Sequence, residues 1–224
     1  MEQTHPFYVV LAAGGIGMRM GTDIPKQYLS LHNKPLALYS FEVFLSLPEV
    51  LGIVVVCDPA YQSLFTPYSK LVNLSFALPG KRRQDSVYNG IEKLTGDPLV
   101  CVHDAARPLI NSTLVRRAVH AAAEWQAAVL GVSVKGTIKV CDADQNILNT
   151  PNRASLWEVQ TPQVIRLSLL REGFEKANSQ SLTVTDDVSL VELLGKTVKV
   201  VESSYSNIKI TTPEDLLVIK QFLN

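Results

Sequence analysis

A charge excess of either sign is missing from this chain: its 21 Lys and Arg residues are matched by 21 Asp and Glu. Without a chain-wide basic field, nonspecific capture of nucleic acid is not expected, and an anionic ligand has to be met by a local pocket. Cysteine is scarce as well. Cys57, Cys101 and Cys141 are widely spaced and two of them lie in apolar, strand-like runs. Buried free thiols fit that pattern better than a disulfide framework or a metal set, and they point to a reducing compartment. A cytoplasmic location follows, or the plastid stroma where a transit peptide has been removed. No apolar run approaches membrane-spanning length, and only Met1 to Pro6 precede the first strand-like run, so neither a signal peptide nor an anchor is expected. Linker-like stretches are also lacking, and 224 residues, 46% of them hydrophobic, can bury one full core. A single domain over 1–224 is the expectation.

The two commonest phosphate-loop signatures are absent too. After Gly15-Ile16-Gly17-Met18-Arg19 comes Met20 rather than glycine, so the dinucleotide fingerprint fails, and no Walker-type Gly-x-x-x-x-Gly-Lys occurs anywhere. What is present is an apolar run, Phe7 to Ala13, that enters Gly14-Gly15-Ile16-Gly17-Met18-Arg19-Met20, followed by Pro25-Lys26-Gln27. Glycines there let backbone N–H groups approach a ligand closely, which suits a phosphate chain. Arg19 and Lys26 supply the cations that a triphosphate requires and a plain turn does not. The stretch fits Ala-Gly-Gly-x-Gly-x-Arg-Met, the loop that sugar-phosphate nucleotidyltransferases place after their first strand.

Short apolar runs at Phe7–Leu11, Ile53–Val56, Leu74–Leu78, Leu99–Val102 and Ala127–Leu130 alternate with amphipathic stretches at Leu36–Leu47, Gln84–Leu94 and Thr113–Trp125. That alternation predicts an α/β fold, a mainly parallel sheet covered by helices on both faces, with ligands at the carboxyl ends of its strands. Asp58 reads as a helix-entry residue. Pro79 to Val87 carries three consecutive cations into a helix start, with Asp85 or Ser86 near the cap. It is open to two readings: a solvated basic turn, or a nucleobase site in which Gly80 and Ser86 meet the polar edge of a pyrimidine. Likewise His103-Asp104-Ala105-Ala106-Arg107-Pro108 holds either an internal Asp104/Arg107 ion pair or a carboxylate near a metal–phosphate cluster with Arg107 toward a second anion. His103, ending an apolar strand, reads as a packed, hydrogen-bonded residue before a metal ligand.

From Val132 to Gln163 the alternation stops. Ser133–Val140 and Leu156–Gln160 read as two β segments about a polar turn at Asp142–Asn146, a protruding β-arm over 132–163. An isolated hairpin is marginal in water, so it is expected to pack on another copy of the chain. Turn chemistry accounts for Asp142 and Asp144 without a metal. Thr183 to Asp187 reads as a helix opening, Thr197 to Val201 as a strand, and Asn207 to Asp215 as a strand running into a helix capped by Thr212 and Pro213. Lys209 stays unexplained by folding alone, since its ammonium needs water or an anion.

Taken together, Ala-Gly-Gly-x-Gly-x-Arg-Met, Pro-Lys-Gln, Gly80 to Val87, His-Asp-Ala-Ala-Arg-Pro, Gln160-Thr161-Pro162-Gln163 and Asn207-Ile208-Lys209 with Thr-Pro-Glu-Asp resemble the 2-C-methyl-D-erythritol 4-phosphate cytidylyltransferases of the non-mevalonate isoprenoid pathway. The resemblance covers nearly the whole chain and implies a Rossmann-like nucleotidyltransferase fold. It implies Arg19, Lys26 and Lys209 as catalytic cations around the CTP phosphates, with Ala13, Gly14, Gly15, Gly17 and Asp104 at the nucleotide and Gly80 and Ser86 on the cytosine. Asp104, Arg107, Thr137 and Thr185 would bind the methylerythritol phosphate, joined by Arg153 and Thr161 from the arm of a partner subunit in a homodimer. Many members carry Asp-Thr where this chain has Gly136-Thr137. The implied chemistry is attack of the sugar phosphate's oxygen on the α-phosphorus of CTP with release of pyrophosphate. Mg2+, held mainly by the CTP phosphates with Asp104 as the nearby carboxylate, would help stabilise charge. Neither nucleic acid nor membrane enters this scheme. A ribitol 5-phosphate cytidylyltransferase would share the CTP motifs, and Ala106, Thr137 and Thr185 favour methylerythritol phosphate. A noncatalytic nucleotide-binding module is opposed by the retention of Arg19, Lys26 and Lys209 together.

Overall fold

The computed structural model of the chain describes residues 4–15 and 24–222. Gly17 and Arg19 therefore lie outside the described residues. In chain order come β1 (Phe7–Ala12), β2 (Ser30–Leu31), β3 (Lys34–Pro35), α1 (Leu36–Leu45), β4 (Val50–Val56), β5 (Leu74–Ala77) and α2 (Arg83–Ile91). The middle of the chain supplies β6 (Leu99–Asp104), α3 (Ser112–Trp125), β7 (Ala127–Ser133), β8 (Val140–Cys141), β9 (Ile147–Asn149) and β10 (Trp157–Arg166). It ends with α4 (Leu167–Ser179), α5 (Val188–Leu193), β11 (Lys199–Glu202) and α6 (Pro213–Phe222).

The main sheet has the order β11-β7-β10-β6-β1-β4-β5. Its strands pair in parallel, β1 with β4 and β6, β4 with β5, and β11 with β7, except that β10 runs antiparallel to both β6 and β7. Because successive strand side chains point to opposite faces, the continuous apolar runs feed two cores. Val9, Leu11, Val55 and Cys101 pack on one face with Phe41 and Phe44 of α1 and Val115 and Ala118 of α3. Val10, Val54, Val56, Val100 and Val102 pack on the other with Val87 and Ile91 of α2 and with α4 and α5. The α/β expectation of a sheet covered on both faces is met. Cys57 and Cys101 are buried free thiols, as expected, whereas Cys141 is exposed. Among the described residues no helix is long and apolar enough to cross a membrane.

The arm differs from its sequence reading. Leu156 to Gln160 was expected as one side of a hairpin facing Ser133 to Val140. In the structure Trp157–Val159 pair with Ser133–Gly131, and the strand then shifts register and runs on to Arg166 inside the main sheet. The physical reason is burial: Val164 and Ile165 are fully covered, and a ladder shared with two neighbours satisfies their backbone groups. Alternation along a strand does not name its partner. What projects is the wholly exposed stretch 135–150, carrying the short β8/β9 hairpin. Its turn is closed by Asp142, whose Oδ1 accepts from the N–H groups of Asp144 at 3.0 Å and Asn146 at 2.8 Å, the turn chemistry expected there. The stretch Asn207–Ile210, expected as strand, is extended but unpaired in the sheet; Ile210 is tied by its N–H to the carbonyl of Ala106 at 2.9 Å.

Candidate active site

The site lies where an open α/β sheet places ligands, beyond the carboxyl ends of its strands. β1 delivers Gly14 and Gly15, β5 delivers Gly80, and β6 ends on Asp104. The first two loops touch. A Cβ on Gly14 would stand 2.3 Å from Cβ of Pro79, so only glycine lets the β1 loop cross the exit of β5. Beside that crossing, the N–H of Gly80 donates to Ser86 Oγ at 2.9 Å, and the N–H of Arg82 donates to Asp85 Oδ2 at 3.0 Å, capping α2. Of the two residues expected near the cap, Asp85 is the one whose carboxylate accepts from the N-cap N–H of Arg82.

Asp104 is the electrostatic centre. Its Oδ1 accepts from Arg83 Nε at 2.9 Å and its Oδ2 from Lys209 Nζ at 2.6 Å. Burial alone would push its carboxyl pKa up, but the charges of Arg83 and Lys209 win and hold it well below the usual carboxylate range. The lysine left unexplained by folding thus meets an anion. The remaining guanidinium nitrogens of Arg83 reach buried Asp187, NH1 to Oδ1 at 2.9 Å and NH2 to Oδ2 at 2.8 Å, a bidentate clamp that ties α2 to the start of α5. The expected Asp104/Arg107 pairing alternative is not the arrangement present: Arg107 NH1 donates to the carbonyl of Asn207 at 2.7 Å. His103 is buried, with Nε2 3.1 Å from the carbonyl of Arg107 and Nδ1 3.2 Å from Thr161 Oγ1. Burial pulls its pKa down to about 4, so it is neutral and packed, as its place in the strand suggested.

Two clefts open on either side of this centre, with Arg83, Asp104 and Lys209 in the wall of both. The first, of about 560 Å3, is lined also by Gly14, Gly15, Lys26, Gly80 and Ser86. The second, of about 510 Å3, takes in Arg107, Thr161, Gln163 and Thr185. Arg107 is 8% exposed, and its Nε finds no hydrogen-bond partner among the described residues. Burial lowers its pKa against the pull of Asp104 and Glu158, yet a guanidinium stays charged, so this wall of the cleft is cationic.

Three sequence expectations need correction. Ala13 does not line the nucleotide-side cleft; its methyl is buried in the core and its carbonyl is held by Gln27 and Tyr28. Thr161 is not on the arm: it sits in β10, buried, where its hydroxyl accepts from the N–H of Asp104 at 3.1 Å within the same chain. Thr137 is not brought to either cleft of its own chain, and Arg153, expected to serve a partner copy, does not line one either. Both are exposed, Thr137 on the projecting segment and Arg153 at its base, where its Nη1 donates to the carbonyl of Lys135 at 2.7 Å. Conversely, residue type alone does not announce the inward roles of Gln27, Tyr28, Arg83 and Asn207, and Asp187, expected only at a helix opening, also holds Arg83. The buried amide of Asn207 donates to Gln160 Oε1 and to the carbonyl of Thr161, both at 2.9 Å, locking the segment that carries Lys209.

Two adjoining clefts with a glycine loop on one side, an under-satisfied guanidinium on the other and a doubly paired carboxylate between them suit the joining of two anions. That arrangement on a mainly parallel, doubly covered sheet suits a nucleotidyltransferase. A family model of 2-C-methyl-D-erythritol 4-phosphate cytidylyltransferase matches residues 7–224. The chloroplastic enzyme of that name from Oryza sativa subsp. japonica is 52% identical over 96% of this chain and 74% of its own length. The one from Desulforamulus reducens is 40% identical, covering 96% of this chain and 94% of its own. The crystal structure of the Francisella tularensis enzyme superposes with a TM-score of 0.83 at 32% identity, over 96% of this chain and 99% of that one. The chain belongs to the 2-C-methyl-D-erythritol 4-phosphate cytidylyltransferase family.

Proposed function

We propose that this protein transfers the cytidylyl group of CTP to 2-C-methyl-D-erythritol 4-phosphate, giving 4-diphosphocytidyl-2-C-methyl-D-erythritol and pyrophosphate. The carrying observation, beside family membership, is the pair of clefts that share Asp104, Arg83 and Lys209. CTP occupies the cleft of Gly14, Gly15 and Lys26, with its cytosine at Gly80 and Ser86. The sugar phosphate occupies the other, its anion at Arg107 and its hydroxyls near Thr185. An oxygen of that phosphate attacks the α-phosphorus, the bond to the β-phosphate oxygen breaks, and pyrophosphate leaves. Lys26 and Lys209, with Arg19, meet the charge that builds on the α-phosphate and leaving group. Asp104 keeps the ammonium of Lys209 at the junction of the two clefts, where the reacting oxygens come together.

Among the described residues there is no cluster of three acid, histidine or cysteine side chains able to cage a metal. Asp104 is the carboxylate common to both clefts, and that donor set fits Mg2+, which binds through one or two carboxylates plus substrate phosphates. When bound it neutralises phosphate charge.

A homodimer through the arm belongs to the same reading. Exposed Ile138, Val140, Ile147 and Leu148 on the projecting segment support it, and Thr137 and Arg153 would act on the acceptor bound by a partner copy. Chloroplastic and bacterial relatives support work in the plastid stroma or the cytoplasm. The test is pyrophosphate release with Mg2+, CTP or UTP, and a panel holding methylerythritol phosphate and ribitol 5-phosphate. Turnover is expected with CTP and methylerythritol phosphate. UTP should be far poorer, because an acceptor meant for the cytosine amino group is left unpaired. Equal rates with the ribitol ester would overturn the acceptor assignment.

A further inference from the structure

Lys26, Gln27 and Tyr28 form one 3-10 turn, and its last two side chains turn inward. Gln27 is 3% exposed, and its Nε2 donates to two carbonyls of the β1 loop, Ala13 O at 2.7 Å and Gly15 O at 2.8 Å. Two acceptors at those distances require the amide nitrogen to face them, since an amide oxygen has no proton to offer. Tyr28 donates its hydroxyl to the same Ala13 carbonyl at 2.7 Å, and its ring stacks on Tyr61 with centroids 3.7 Å apart. The N–H of Ala13 in turn donates to the carbonyl of Val56 at 2.9 Å. The start of the glycine loop is therefore pinned from β4 on one side and from the lysine-bearing turn on the other.

We propose that Gln27 is a positioning residue for nucleotidyl transfer: by bridging the Ala13 and Gly15 carbonyls it locks Gly14 and Gly15 to the turn that carries Lys26, so that their backbone and the ammonium approach the triphosphate as one unit. A trans peptide points its N–H opposite to its carbonyl, so fixing the Ala13 oxygen also fixes the direction of the Gly14 N–H in the wall of the nucleotide cleft. The bridge uses both amide protons, which no other uncharged side chain of similar length provides. This inference rests on the proposed function.

Replacement tests it. Gln27→Met keeps the length and removes both donors; kcat should fall on the order of a hundredfold, with a smaller change in KM for CTP and a near-native unfolding temperature, as for a site displaced by a fraction of an ångström to an ångström. Gln27→Glu has no donor when ionised and one when protonated. Its kcat relative to wild type should rise as pH is lowered, by up to about tenfold per pH unit while the acid stays ionised. Tyr28→Phe, which keeps the stack on Tyr61 and loses one bond to Ala13, should lower kcat severalfold and keeps the question answerable if Gln27→Met does not fold. The proposal is overturned if Gln27→Met turns over CTP within about twofold of wild type, if the pH profile of Gln27→Glu parallels wild type, or if the lost rate merely tracks a lost folded fraction. Absence of CTP-dependent pyrophosphate release from the wild type would instead overturn the functional reading itself.

Discussion

Arg83 spans two buried carboxylates, Asp104 at the end of β6, which Lys209 also pairs, and Asp187 at the start of α5, which would otherwise be buried without counter-charge. Arg82, its neighbour in sequence, stays at the exposed surface, where it pairs with Asp85 and its Nη1 donates to Thr183 Oγ1 at 3.2 Å. The two arginines therefore have unequal consequences. Arg83→Met should cost about 3 kcal/mol in urea unfolding, because Asp187 is left buried and unpaired while Asp104 retains Lys209. It should depress turnover as well. Arg82→Met should leave the unfolding midpoint nearly unchanged, as solvent screens that pair. Equal effects of the two substitutions would show that the clamp contributes nothing of its own. The sequence presents Lys81, Arg82 and Arg83 as an undivided basic run; which one turns inward is set by the phase of α2 against the sheet, a tertiary fact. Gln27 is hidden for a similar reason, since nothing in a glutamine codon announces two backbone carbonyls as its partners. Gly14, Gly80, Lys209 and Asp104, by contrast, were legible because their residue types make little sense in a strand exit without a ligand or a counter-ion.

The elements were read well where burial imposes a period. β1, β4, β5, β6 and β7, and the helices α1, α2 and α3, all fall within a few residues of the apolar runs and amphipathic stretches that announce them. β10 departs from its sequence reading because its first three residues are exposed and the next six buried, so its pattern changes along its length. The reassignment alters what the arm is. Its root at β7 and β10 belongs to the sheet and is stiff, and a cation–π contact of Lys135 Nζ 3.4 Å above the Tyr205 ring braces it further. Arg153 sits just before β10, at the end of the projecting segment. If it serves the partner's acceptor site, Lys26→Ala and Arg153→Ala damage opposite sites of a mixed dimer. Each homodimer should lose roughly a hundredfold in rate. Co-refolding the two should restore about a quarter of wild-type activity, half the dimers being mixed and each holding one intact site. Mixed dimers that form yet stay inactive would assign Arg153 to its own subunit or to no site.

At the scale of the whole molecule, a neutral imidazole under the active site makes acid a denaturant earlier than the carboxylates would. His103 is held near pKa 4 in the fold against about 6.5 when free, so between those values the unfolded chain binds a proton that the native chain refuses. Stability contributed there is complete above about pH 6.5 and drains as pH falls toward 4, by about 3 kcal/mol in all. The low pKa of Asp104 acts in a separate window, below about pH 4. Urea midpoints should therefore drop between about pH 7 and pH 4.5 in the wild type and drop less in His103→Gln, which keeps polar ends and cannot titrate. Parallel slopes for the two would exclude His103 as the cause.

The bonds that complete the site reach far along the chain: Arg83 to Asp187 across 104 positions, Asp104 to Lys209 across 105, and Arg107 to Asn207 across 100. A ribosome that has released the chain only as far as α4 has thus exposed the central strands, while Asp187, Asn207 and Lys209 are still being made. The nascent sheet is whole at its middle, but at its catalytic edge it is electrically unfinished, and enzyme competence arrives with the last stretch of synthesis rather than growing alongside it.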